Sequence, residues 1–293
     1  MNVKKALGTS LMGTMLFSSG AEGAEKHMNG TPSADSRQML ESAIPVAVYN
    51  GFLVVVSGQI GGRKQNFIVD TGTAPSILNA RLAKKMGLQV TETTLTAIGR
   101  SVKTGNAVVP DLELGPIRAK ELFMNVMDLS QWEKNIGIEL AGILGMDVLG
   151  RASFRLDYEK KELIFGTVGE EGIAVGYNPM TGLALADAIV QGRRVRLIVD
   201  TGSDLVVVYG ENWGDSPGAV IATRDGRSVA EQVAARPILK PEMELGGKQF
   251  HGLRTYCVPS AAGAGYDGFF GVRALKLRGI TFDRESQTVR LLN

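Results

Sequence analysis

One cysteine, Cys257, and two histidines, His27 and His251, are all that the 293 residues offer of these side chains. A single cysteine excludes an intramolecular disulfide, so the fold cannot lean on one even in an oxidising compartment. Cys257 reads as a small buried apolar side chain rather than a nucleophile. With His27 in a polar leader, a Ser/His/Asp or Cys/His triad would rest on His251 alone, and no nucleophile-elbow pattern accompanies it. His-Glu-x-x-His, Cys-x-x-Cys, phosphate-loop and dinucleotide patterns are missing, so no metal, nucleotide or other cofactor is expected. Charge of one sign is scarce too: 32 basic residues against 30 acidic leave +2, too little to draw nucleic acid or an anionic membrane. Long apolar runs are lacking; the longest near the start, Ala6 to Phe17, is too short to span a bilayer as a mature helix.

What is present fits a globular chain rich in turns. Hydrophobic residues make up 44% and charged residues 21%, and the 37 glycines suit a β-rich fold. The length allows a sizeable core in one or two domains. Lys4 and Lys5, the apolar stretch behind them and the small residues of Ser19-Gly20-Ala21 or Ala21-Glu22-Gly23 read as an export signal over residues 1–23. Its removal takes Lys4, Lys5 and Glu22 and lowers the charge from +2 to +1. A periplasmic or secreted destination follows. Residues 24–45, polar and holding Gly, Pro and Ser, read as a linker or short pro-segment.

The remainder repeats itself. Phe67-Ile68-Val69-Asp70-Thr71-Gly72 returns as Leu197-Ile198-Val199-Asp200-Thr201-Gly202, each run entered through a Gly- and Arg-containing hairpin turn. Gly99-Arg100-Ser101-Val102 matches Gly226-Arg227-Ser228-Val229, and Leu112-Glu113-Leu114-Gly115 matches Met243-Glu244-Leu245-Gly246. Gly142-Ile143-Leu144-Gly145 returns as Gly268-Phe269-Phe270-Gly271, and Phe154-Arg155-Leu156-Asp157 as Ile280-Thr281-Phe282-Asp283. The offsets are 130, 127, 131, 126 and 126 residues, and five blocks in one order argue for a duplicated unit with small loop insertions. The expected domains are 46–170 and 171–293, joined near Thr167 to Val175, each made mainly of short strands. One helix is expected, with Asn79 as its cap, Ala80 to Met86 as its body and Gly87 as its stop.

Paired Asp-Thr-Gly corners carry the chemistry. Two carboxylates facing each other at contact distance cannot both ionise, so they share a proton. One then acts as base and the other as acid, which is what activating a water against a peptide bond requires. A lone Asp-Thr-Gly would be read as a turn that caps its own N–H groups; two in a matched repeat would not.

Over nearly all of residues 46–293 the chain resembles the aspartic peptidases, each half looking like a retropepsin-type unit and the two together like the bilobal pepsin arrangement. The resemblance implies an all-β, bilobal acid-protease fold with barrel-like lobes, the cleft between them and few short helices. It implies an aspartic endopeptidase that acts on peptide or protein substrates through a water held between Asp70 and Asp200, with no acyl-enzyme. Thr71 and Thr201 match the hydroxyls that brace the two loops, Gly72 and Gly202 the turn glycine whose N–H reaches the carboxylate, and Thr73 and Ser203 the hydroxyl beside it. Ile98 and Gly99, with flexibility also from Gly105, would form the first substrate-gripping flap, and Asp225 and Gly226 the second, although the tyrosine of the pepsin flap is missing. Asp204 and Arg273 are expected to form a structural pair. Because one chain holds both halves, a monomer is expected. The alternatives are an inactive protease scaffold that binds peptides or an envelope partner, and an exported β-rich adhesin that would leave the paired motifs without a role.

Overall fold

The computed structural model describes residues 42–97, 100–166, 168–179, 181–210, 213, 235–258 and 265–293. Among these residues are twenty-one strands and three short helices, so the fold is all-β. The expected signal segment, most of the residue 24–45 segment and the tips assigned to both flaps lie outside the described residues.

Blocks matched in sequence occupy matching places in the ladders. Leu53–Ile60 and Arg63–Val69 form an antiparallel hairpin, with Ile60 opposite Arg63. Leu183–Val190 and Arg193–Asp200 do the same, with Val190 opposite Arg193. The glycine-flanked block Gly142–Leu144 lies parallel to Phe67–Val69 and antiparallel to Ile77–Asn79. Its counterpart Gly268–Gly271 lies parallel to Leu197–Asp200 and antiparallel to Val206–Tyr209. The strands Leu112–Glu113 and Met243–Glu244 cross onto their hairpins in the same register, at Gln59–Ile60 and Ile189–Val190. These apolar strands alternate between two faces. One face of each joins a single large core that runs through both halves, with Phe67, Val69, Phe154, Leu197, Val199 and Phe270 fully buried.

A shared antiparallel sheet ties the halves together. Phe154–Asp157 pairs with Gly279–Asp283 at its centre, with Leu156 opposite Ile280. Glu162–Phe165 and Thr288–Leu292 flank this pair, and Ser42–Pro45 and Ile173–Val175 complete the two edges. Ser42–Tyr49 and Ile173–Asn178 each begin in this sheet and continue into the hairpin sheet of one half. Two expectations are thereby corrected. Ser42–Pro45 are strand rather than linker, with Pro45 tolerated because the strand is an edge there. The later part of the expected junction, from Ile173, is likewise strand.

The expected helix is present as Ala80–Lys85, with Asn79 Oδ1 accepting from Arg81 N–H at 3.1 Å and Gly87 following at φ +68°. Two further helices, Ser130–Ile136 and Met146–Leu149, had no sequence signal. Trp132 and Ile136 of the first of these cover the outer face formed by Leu53, Ile68, Ile77 and Ile143. Glu133 Oε1 ties that helix down, accepting from Arg81 Nη2 at 2.6 Å, Leu140 N–H at 2.8 Å and Asn79 Nδ2 at 3.2 Å.

Candidate active site

Each hairpin delivers its Asp-Thr-Gly corner from the middle of a sheet, so the aspartates emerge buried. Asp70 N–H donates to Leu144 O at 3.0 Å, and Val272 N–H donates to Asp200 O at 3.0 Å. Asp70 is 2% exposed and Asp200 is fully buried. Gly72 N–H donates to Asp70 Oδ1 at 2.8 Å, and Gly202 N–H donates to Asp200 Oδ1 at 2.6 Å. Bonds of this kind to a carboxylate are charge-assisted and short. Thr73 Oγ1 adds a bond to Asp70 Oδ2 at 2.9 Å, while Ser203 Oγ accepts from Leu205 N–H at 3.1 Å.

The two carboxyl groups are hydrogen-bonded to each other. Burial raises the Asp70 carboxyl above its ordinary value, and the bonds from Asp200, Thr73 and Gly72 offset only part of that. Such a pair holds one proton between two acids and titrates as a unit. The loops approach so closely that a Cβ on Gly72 would lie 2.9 Å from Asp200 Cγ, and one on Gly202 would lie 2.9 Å from Asp70 Cγ. Only glycine leaves room there.

The threonines lock the corners across the halves. Thr71 Oγ1 donates to Val199 O at 2.8 Å and accepts from Thr201 N–H at 3.2 Å. Thr201 Oγ1 donates to Val69 O at 3.0 Å and accepts from Thr71 N–H at 3.0 Å. All six atoms belong to buried residues, so each bond is shielded from water.

Residues 56–148 match a family model described as aspartyl protease. The match contains the first Asp-Thr-Gly corner, the helix Ala80–Lys85 and the Gly142–Leu144 block behind the corner. It ends before the second corner. No curated protein matches the chain. The match supports a hydrolase of the peptidase type, with peptides as substrates.

Other predicted residues fall differently. Asp204 pairs with Arg254 rather than Arg273, Oδ2 meeting Nη1 at 2.6 Å. The reason is register: Val206 N–H donates to Arg254 O, so parallel pairing of Val206–Tyr209 with Thr255–Val258 sets Arg254 beside Asp204. Arg273 turns away, Nε donating to Gly51 O at 3.3 Å and Nη1 to Leu277 O at 2.8 Å. Gly105 is no flap hinge but a ladder position between Glu92 and Val126, where a Cβ would run into Val90. Around the first flap, Ala97 pairs with Arg100; Ile98, Gly99, Asp225 and Gly226 lie outside the described residues. Cys257 is buried and free, and His251 is exposed at the end of Lys248–His251.

Sequence reasoning missed Tyr158, whose hydroxyl donates to Thr201 O at 3.4 Å. The signal available was a mismatch in the repeat, where Tyr158 aligns with Arg284. It also missed the apolar face beside the second corner, where Ala74 of the first loop packs against a cluster that includes Leu183, Tyr209 and Phe269. Among the described residues, no group of three His, Cys, Asp or Glu is arranged to hold a metal ion, and no helix is long and apolar enough to cross a membrane. An open depression of about 570 Å³ lined by Asp187, Arg194, Arg196, Glu244 and Asp267 includes no residue of either corner.

Proposed function

We propose that the chain is an exported, monomeric aspartic endopeptidase whose two lobes, residues 46–170 and 171–293, each supply one catalytic carboxyl. Support comes above all from the contact between Asp70 and Asp200, each held by the glycine N–H of its own corner. A water between the carboxyls gives a proton to the ionised member as its oxygen attacks the scissile carbonyl carbon. The protonated member donates a hydrogen bond to the carbonyl oxygen as negative charge builds there. Collapse of the tetrahedral intermediate breaks the C–N bond, and the proton taken from water passes to the leaving nitrogen.

Thr71 and Thr201 hold the corners in register. Gly72, Gly202, Thr73 and Ser203 hold the carboxyls and their loops, and Ile98, Gly99, Asp225 and Gly226 close over the substrate. Residues 1–23 direct export to the periplasm or beyond, and residues 24–41 connect that signal to the enzyme. No cofactor is required.

The test is cleavage of a diverse peptide mixture by residues 24–293 from acidic to neutral pH, with Asp70→Asn and Asp200→Asn alongside. Each substitution should lower the rate by about 10³-fold or more, and specific activity should survive dilution. Retention of activity in either variant would sink the dyad, and loss on dilution would sink the monomer. A folded wild type that cuts no peptide would point to a peptide-binding scaffold instead.

A further inference from the structure

The repeat breaks at one place directly beneath the second corner. Tyr158 follows the central strand Phe154–Asp157, and the residue 126 positions later is Arg284. Arg284 is exposed, its N–H donating to Ser153 Oγ at 3.0 Å. Tyr158 is buried at 6% exposure, its N–H donating to Arg278 O at 2.9 Å across the shared sheet. The Arg273 guanidinium caps its ring, 5.2 Å from the centroid. Arg273 itself is fixed to Gly51 O and Leu277 O. The residue aligned with Arg273 is Asp147, which instead accepts from Ser76 N–H at 3.0 Å and Ser76 Oγ at 2.6 Å. Both parts of this strut therefore serve the second corner, and their sequence counterparts do other things.

What the strut holds is one peptide unit. Tyr158 donates its O–H to Thr201 O, and the N–H on the other side of that planar unit, Gly202 N–H, donates to Asp200 Oδ1 at 2.6 Å. A chain of donors through one peptide polarises it, strengthening the bond at its far end. The matching bond from Gly72 N–H to Asp70 Oδ1 is longer, at 2.8 Å. Thr201 has its other polar groups committed as well, N–H to Thr71 Oγ1 and Oγ1 to Val69 O.

We propose that Tyr158 is a positioning residue for the dyad, clamping the Thr201–Gly202 peptide and, through the Gly202 N–H, the carboxyl of Asp200. This rests on the peptidase reading above. Tyr158 does not touch substrate; it acts through the Gly202 N–H. The ionisable groups that face Asp200 are Asp70, Tyr158 and Tyr209, with Arg273 facing Tyr158 from the opposite side. Burial drives both phenols well above their ordinary range, so they stay neutral wherever a carboxyl pair titrates.

The deciding variant is Tyr158→Phe in residues 24–293, which removes one oxygen and keeps the ring under Arg273. Its kcat should fall about tenfold with KM within about twofold, the pattern of lost positioning. The acid limb of its kcat profile should move to higher pH, because a weaker donor to Asp200 stabilises the carboxylate less. The titration of the two carboxyls, followed by carbon-13 NMR of labelled aspartate, should move the same way without any substrate. Melting should stay within about 4 °C of wild type. Unchanged kinetics and titration, or a lower melting temperature with an unchanged pH profile, would overturn the positioning role while leaving the peptidase reading intact. A wild type that cuts no peptide, with a carboxyl titration that still shifts in the variant, would overturn the peptidase reading and uphold the clamp.

Discussion

Set side by side, the corner at Asp70 and the corner at Asp200 share a backbone plan and differ in what fastens it. Both end a hairpin strand beside a parallel glycine-flanked block, and both aspartates accept from the glycine N–H two residues on. Beyond that, Asp70 is held from its side by the Thr73 hydroxyl, whereas the second loop is held from beneath by Tyr158. The outer faces differ as well. In the first half Trp132 and Ile136 cover Ile68 and Ile77, while in the second half Ala74, Tyr209 and Tyr266 belong to the cluster around Ile198 and Val207. A two-fold backbone thus supplies the contact between carboxyls, and the departures from two-fold symmetry distinguish one acid from the other. Two identical acids could share a proton, but nothing would decide which keeps it.

The strongest way to break the comparison is to attack what the corners have in common. Gly72→Ala and Gly202→Ala each aim a methyl at the opposite carboxyl, 2.9 Å from Cγ in both cases. Backbone and carboxyl must part to admit it, and a misplacement on the scale of 1 Å costs about 10²-fold in rate. Both variants should therefore lose at least that much peptidase activity while remaining folded. If one loses activity and the other does not, the corners do not face each other as equals.

The threonine braces come next. Thr71→Val or Thr201→Val strips a hydroxyl that both donates and accepts, leaving a buried carbonyl and a buried N–H without their partners. An unsatisfied buried group costs about 1–3 kcal/mol, so urea unfolding should show each variant less stable by about 2–4 kcal/mol. The two losses should agree, because the braces are reciprocal. The double variant should cost clearly less than the sum, because the loss of either brace lets the corners part and loosens the two bonds that remain. An additive double variant would mean that the two braces act independently.

Much of this was legible in the sequence because the duplication displays it twice. The hairpins, the glycine-flanked blocks and the central strands of the shared sheet were each marked by apolar runs punctuated by glycine or a polar turn, and matching offsets placed them. The helix at Ala80 was legible from its cap, since Asn79 has a local reason to stand before it. Ser130–Ile136 gave no such signal: Leu129 at its cap position makes no side-chain capping bond, and its apolar residues Trp132 and Ile136 serve a sheet face supplied from elsewhere in the chain. The pairing of Asp204 with Arg254 was illegible for a similar reason, as it depends on the register of a parallel strand fifty residues away. Arg273 was favoured because it closely follows the Gly268–Gly271 block, and register overruled it. Tyr158 was hidden because a residue that bonds to a backbone carbonyl leaves no motif, only a mismatch between repeats.

The smallest effect is expected at the turns that follow the two central strands, where Asp157 and Asp283 occupy matched positions. Asp157 Oδ1 accepts from Glu159 N–H and Lys160 N–H, and Asp283 Oδ1 from Glu285 N–H, all at 3.0 Å, with Ser286 Oγ donating to Asp283 Oδ2 at 2.8 Å. Burial pushes both carboxyls up, but the donors outweigh it and leave both below the ordinary 3.8. Asp157 has in addition Arg155 at 3.2 Å and Arg278 at 3.6 Å, arginines that also share Glu171. A carboxyl whose folded value is depressed stabilises the fold above its unfolded value, and that stabilisation is lost as pH falls through the folded value. By urea unfolding at pH 6, Asp157→Asn should cost about 2 kcal/mol and Asp283→Asn about 1 kcal/mol, the difference reflecting bonds to charged partners. As pH falls through the folded values both costs should shrink and converge, because wild type then carries neutral acids in both turns. The raised carboxyl of Asp70 works in the opposite sense, relieving strain as pH falls, but it is present in wild type and in both variants and cancels from each difference. A gap between the two variants that persisted once both acids are protonated would assign it to the shape of the Asp157 turn, and the arginines around it would then owe their place to packing rather than to charge.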